Sequence, residues 1–240
     1  DPGNCGSSSG DKTAVGASIA VNVVIDNNSA QLGEDVDLSA VTDNVTVAAK
    51  DLRPSNATFT LDPEDEDTDT ESYLQANYTA TLQNSSYYAE AIAGGAAQNG
   101  NAGTGSLAVT VSVGKTEALV GEGVQIGGTN FDVTAYNASD ARHIVGAVAL
   151  ADKKAIGASI SGIYLREDVT AIVAENLSSG SADNVSIDIS GNMNVSATAD
   201  QKALTIKAAG GISSNDLALA GAFGFNVMDS DVEARIRQNA

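Results

Sequence analysis

The chain has 240 residues, a formal charge of −19, one cysteine and no tryptophan, so it is long enough to bury a core of its own and carries no disulfide framework. Its acidity excludes nucleic acid and anionic lipid as partners, since both need a basic footprint, and no run approaches the roughly 18 apolar residues of a membrane span. Aromatics are 4% and glycines number 24, which points to a core of many thin, similar layers, as stacked strands provide.

Residues 1–13 are rich in Gly and Ser and are expected to be a flexible lead-in, with Cys5 as an incidental thiol or an intersubunit link. Asp1-Pro2-Gly3-Asn4 has neither the charged nor the apolar region of a signal peptide, as expected once such a peptide has been removed. From residue 14 to 240 the chain repeats itself. GASIAVNVVIDNNSAQLGEDVDL, starting at Gly16, returns from Thr104 as TGSLAVTVSVGKTEALVGEGVQI. A third copy starts at Gly157 (GASISGIYLREDVTAIV) and a fourth at Gly221 (GAFGFNVMDSDVEARI), where Asn226-Val227 meets Asn22-Val23. Aligned residues of successive copies are 88, 53 and 63 residues apart, as Asn22, Thr110, Ile163 and Asn226 are.

Within each copy apolar residues alternate, as in Ile19, Val21, Val23, Ile25 and in Leu107, Val109, Val111, Val113. Period two places them on one face of a strand, and the usual rule turns that face toward the core. Shorter strands follow, carrying Val36 and Leu38, then Val45 and Val47; in the third copy they are Val185–Ile189 and Met193–Ala197. Gly33, Gly121, Gly123, Gly127 and Gly191 mark corners. Short strands, repeated corners and uneven copy spacing predict an all-β fold, a right-handed parallel β-helix (β-solenoid) whose turns tolerate insertions. The alternative is a β-sandwich.

Residues 53–103 depart from the repeat and are expected to form a β-rich insertion. LDPEDEDTDTES supplies Asp62, Glu64, Asp65, Asp67 and Asp69, oxygen ligands of the type Ca²⁺ takes, although the glycine of an EF-hand loop is missing; no cofactor is required. Leu74, Ala76, Tyr78, Ala80 and Leu82 alternate as a further strand, and Tyr73, Tyr78, Tyr87 and Tyr88 either pack the insertion onto the solenoid or form a contact surface. Asn-x-Ser/Thr sequons stand at Asn27, Asn44, Asn56, Asn77, Asn84, Asn137, Asn176, Asn184 and Asn194, which makes the chain a candidate glycoprotein and an extracellular one. His143, the one histidine, beside Arg142, is expected to be a surface or interstrand polar residue.

The phrase VGASIAVNVVIDNNSAQLGEDVDLSAVTDNVTVAAKD, with GNMNVSA further on, resembles the repeats of large bacterial surface proteins of the filamentous-haemagglutinin and leukotoxin-like adhesin type. The resemblance covers most of residues 14–52 and 104–240, and implies a β-helix, secretion, and adhesion to a host or neighbouring cell or a place in surface fibres. Those proteins are far longer and carry a secretion domain.

No triad order, phosphate loop or HExxH pattern occurs, and 12 basic residues spread along the chain do not make the groove of a β-helical lyase, so no catalytic residue is expected. The reading is an extracellular structural subunit that stacks head to tail into a surface filament or sheath. Ile19, Val21 and Val23 of one copy would meet Val227 and Ile236 of the next, because the fourth copy stops before its corner. A stalk fragment of a giant adhesin and a carbohydrate-binding module are the alternatives.

Overall fold

The structure, a computed structural model, describes residues 4–52, 86–177 and 184–237. These residues contain no helix and twelve strands: β1 (Asn4–Gly10), β2 (Thr13–Leu32), β3 (Asp37–Leu38), β4 (Val45–Leu52), β5 (Tyr87–Ala97), β6 (Asn101–Gly121), β7 (Gln125–Gly128), β8 (Phe131–Ala151), β9 (Lys154–Glu175), β10 (Ser186–Ile189), β11 (Met193–Ser213) and β12 (Leu217–Ile236). Every ladder is parallel, unlike the antiparallel pairs of a sandwich.

The chain visits three sheets in a fixed order. A front sheet holds β2, β6, β9 and β12 as successive neighbours, a short sheet holds β3, β7 and β10, and a back sheet holds β1, β5, β8 and β11, with β4 also on β8. The ladders keep the repeat spacing found in the sequence: Thr13 lies opposite Asn101, Asn101 opposite Lys154 and Lys154 opposite Leu217. Parallel strands in such register put like beside like, as in the rows Ala14–Ala102–Ala155–Ala218 and Ala30–Ala118–Ala171–Ala234.

The departure from the repeat is shorter than residues 53–103. β4 pairs with Phe131–Ala138 and β5 with Ala141–Ala151, so the two are halves of one broken strand, and the chain leaves the back sheet opposite Ser139 and Asp140. β5 is a regular back-sheet strand. The N-terminal stretch expected to be flexible also differs, since β1 pairs along Ala91–Ala97. The strand expected at Leu74–Leu82 lies outside the described residues.

The largest correction concerns which face points in. Ile19, Val21 and Val23 are outward and more than half exposed. In β6 the buried parity is Ala102, Thr104, Ser106, Ala108, Thr110 and Ser112, while Leu107, Val109 and Val111 face out. The cause is the narrow gap between the two long sheets. A Cβ on Gly16 would run into the Gly94 carbonyl, one on Gly157 into the Gly210 carbonyl, and one on Gly211 would come within 2.7 Å of the Leu219 carbonyl. Where backbone faces backbone this closely, only Gly, Ala, Ser and Thr fit between the sheets, and the branched side chains must occupy the other parity. The gap widens toward the short sheet, where Val120, Ile126, Phe131, Val133 and Val173 form a conventional apolar core. At the opposite edge the core is alanine alone.

The corner beside the short sheet uses left-handed backbone at Asp35 (φ 57°) and at Gly123 (φ 72°), equivalent positions in successive circuits.

The reversal makes a direct prediction. Ala108→Leu, which adds volume at a site with 0% exposure, should lower stability by about 1–3 kcal/mol. Val109→Ala, on the outer parity beside it, should change stability by less than about 1 kcal/mol. Urea unfolding of both variants checks this, and the opposite ranking would reverse the assignment of faces.

Candidate functional site

Midway along the strands the interior sets polar side chains beside the buried Tyr87, Ile163 and Leu165. His143, inward on β8 and 0% exposed, places Nε2 2.6 Å from Thr110 Oγ1 and Nδ1 2.8 Å from Ser161 Oγ on the front sheet. Asn22 Nδ2 donates to Thr110 Oγ1 (3.4 Å), Ser112 Oγ donates to Tyr87 Oη (2.8 Å) and Asn137 Nδ2 donates to Thr116 Oγ1 (3.3 Å). The bonds of His143, Tyr87 and Asn137 tie one sheet to the other, while Asn22–Thr110 joins neighbouring strands of the front sheet. Burial pushes His143 down to about 4, so the ring is neutral at pH 7, one nitrogen donating and the other accepting. A histidine touching a serine is half of a nucleophilic pair. Here both residues are sealed from solvent, and the contact serves to join the sheets. His143 is therefore an interior sheet-to-sheet bridge.

The outer face of β8 holds one buried ion pair. Arg142 Nε donates to Asp140 Oδ1 at 3.0 Å and Arg142 Nη2 to Asp140 Oδ2 at 2.5 Å, while the Asp140 N–H donates to Ser86 Oγ at 3.1 Å. It stands where the chain departs from the back sheet between β4 and β5. Lys115–Glu117, Arg166–Asp168 and Arg235–Glu233 are exposed pairs on the front face, worth little to stability individually.

The residues singled out in the sequence fall in several places. Asn27, Asn44, Asn176, Asn184 and Asn194 are exposed. Asn137 is a correction: it is buried on the inner face of β8 and its amide nitrogen is engaged with Thr116, so the folded chain offers no glycosylation site there. Asn56, Asn77 and Asn84 lie outside the described residues, as do Asp62, Glu64, Asp65, Asp67 and Asp69. Among the described residues no group of three His, Cys, Asp or Glu is placed to hold a metal. Of the tyrosines read as packing or as a contact surface, Tyr87 is inward and buried. Among the described residues no helix is long and apolar enough to cross a membrane.

Val23, Val111, Tyr164 and Val227 share one outward row across the front sheet. Ile236 is on the inner parity of β12 yet 51% exposed, and so are Met228 (52%) and Val232 (44%), whereas their row partners Val173, Leu165 and Val169 are 0% exposed. The candidate functional surfaces are thus the open end at β12 and the outward face of the front sheet. Sequence reasoning located the first and missed the second, because the outward residues were assigned to the core. No protein-family model, curated protein or solved structure matches the chain.

His143 gives a pH dependence. Its folded-state value lies below its unfolded one, about 6.5, so the unfolded chain binds the extra proton, and its contribution is complete above pH 6.5 and is lost as pH falls toward 4. His143→Gln lacks this term. Between pH 7 and pH 5 the native chain should therefore lose about 2 kcal/mol more than the variant. Urea titrations of both proteins at the two pH values measure the difference, and equal losses would contradict a buried neutral imidazole.

Proposed function

We propose that the chain is an extracellular structural protein, a right-handed parallel β-solenoid whose copies stack head to tail into a surface filament or sheath. The observation that carries this reading is the complementarity of the two ends. Among the described residues, β2, β6 and β9 each pack between two back-sheet levels whereas β12 packs on β11 alone, and β5, β8 and β11 each pack between two front-sheet strands whereas β1 packs on β2 alone. Set end to end, the β12 of one copy and the β1 of the next complete one circuit. β1 would lie along Lys207–Ser213 of β11, the stretch that continues the rows it already joins on β5 and β8.

The side chains suit the same register. β2 of the next copy, laid on β12 as the strands already align, sets Asn22 beside Asn226, Val21 beside Phe225 and Val23 beside Val227, and returns the inner-parity side chains Met228, Val232 and Ile236 to cover. Asparagine and apolar ladders of this kind stabilise stacked parallel strands. The outward charges Asp229, Asp231, Glu233 and Arg235 would meet Ile25, Asn27, Ser29 and Gln31, so no like charges coincide. The contact is heterologous and leaves the same ends open on the growing assembly, so it propagates. The surface location rests on the acidic composition and the exposed sequons.

Each copy contributes four levels to each long sheet, so the subunit repeat should be about 19 Å at roughly 4.8 Å per level. Fibre diffraction from native material should show both spacings along the filament axis. Val232→Lys, a charge at the stacking end, should keep the chain in short particles without altering its circular dichroism. A native chain that stays monomeric well above micromolar concentration would reject stacking and favour a segment of a longer stalk.

A further inference from the structure

The outward face of the front sheet is apolar over about half its length and charged over the rest. Across the four strands its rows run Val15–Gly103–Ile156–Leu219, Ala17–Gly105–Ala158–Gly221, Ile19–Leu107–Ile160–Phe223 and Val21–Val109–Gly162–Phe225. Beyond Val23 and Val227 the rows become polar, with Lys115, Arg166, Asp168, Asp229 and Asp231. An uncharged patch of this extent bounded by charges marks a contact surface.

The relief of the patch identifies what it contacts. The second row holds only alanine and glycine, and a Cβ on Gly105 or Gly221 would meet nothing within 4 Å, so this row is an open trough. The third row, about 6.6 Å away along the strands, is a continuous ridge of large side chains. In the fourth row the Phe225 ring lies against Gly162, where an added Cβ would come within 2.6 Å of it, which closes the one gap in that row. Ridge and trough both run across the strands, parallel to the direction in which the circuits stack. A surface carrying a ridge and a matching trough side by side is complementary to itself, which is the requirement for a twofold contact, and interdigitation of this kind is how flat β-sheets join.

We infer that two copies of this chain pair face to face through the front sheet, the Ile19–Leu107–Ile160–Phe223 ridge of each seated in the Ala17–Gly105–Ala158–Gly221 trough of the other. The chain's charge of −19 falls outside the patch and sets the edge of the contact. The footprint, four strands wide and some eight residues long, is roughly 500 Å² per copy, or about 1,000 Å² for the pair. That is the lower bound for a specific contact. Because ridge and trough run along the stacking direction, every further copy in a stack extends the same interface, so lateral pairing and stacking reinforce one another.

The inference goes beyond end-to-end stacking, and mass per unit length separates the two. Native filaments should be two copies wide. Leu107→Lys places a charge in the middle of the ridge, and Gly105→Leu fills the trough; both leave the inner parity and the open ends untouched. Each variant should halve the mass per length measured by scanning transmission electron microscopy, with circular dichroism unchanged. Native filaments one copy wide, or filaments whose mass per length is the same in all three proteins, would overturn the pairing while leaving stacking intact. If no filament forms at all, stacking fails, and sedimentation equilibrium then decides the pairing: a native dimer that both variants dissociate supports it, and a native monomer at millimolar concentration overturns it. Flotation of the native chain with phosphatidylcholine vesicles, abolished by Leu107→Lys, would assign the patch to lipid and overturn it as well.

Discussion

The separation of the two long sheets governs the rest of this molecule. At the alanine edge the Gly16 and Gly157 positions face the carbonyls of Gly94 and Gly210 with no room for a Cβ, so the interior there admits only the smallest side chains. Close packing is as unforgiving of added volume as of cavities, and the effect runs the length of each strand, because alternation ties every second residue to the same face. Small inner residues in the rows beside that edge leave the outer parity to Ile19, Val21, Val23, Leu107, Val109 and Val111. The gap widens away from that edge: Val145, Ile163 and Leu165 are buried midway along the strands, and Phe131 and Ile126 take the inner face near the short sheet.

A core of alanine and serine yields little hydrophobic free energy per residue, so the fold depends on extent. Strands of 20 to 22 residues, such as β2, β6, β8 and β9, are several times longer than usual, and each is held along its whole length by in-register neighbours. The polar bridges through His143, Thr110 and Ser161 hold the sheets at a fixed spacing where the interior is too wide for alanine. Stability of this kind accumulates level by level, as in other quasi-one-dimensional proteins, and an arrangement that gains from each added level is well suited to growth at its ends.

The repeat was legible because parallel register forces it into the sequence: rows such as Ala30–Ala118–Ala171–Ala234 have to recur at the ladder spacing. The corner and the short strands of the third copy were legible for the same reason, since β10 and the start of β11 fall where the alternation placed them. The direction of the faces was not. Alternation separates two faces without saying which is inside, and ranking by hydrophobicity chose the larger residues. A better signal was side-chain volume, because the rows of the other parity, Ser18–Ser106–Ser159–Ala222 and Ala14–Ala102–Ala155–Ala218, stay small in every copy. Rows that stay small in every copy mark where the walls are close. The same error hid the outward apolar face. His143, read as a surface or interstrand polar residue, and Asn137, read as a sequon, both lie on the inner parity of β8.

The claim on which everything else rests is therefore the parity of the long strands. Single cysteines introduced in turn at positions 145 to 150 of β8, in a Cys5→Ser background, report it by their rate of maleimide labelling. The account predicts fast labelling at 148 and 150 and strong protection at 147 and 149, since Val148 and Leu150 face outward and Ala147 and Ala149 inward. Protection at 148 and 150 with labelling at 147 and 149 would contradict it.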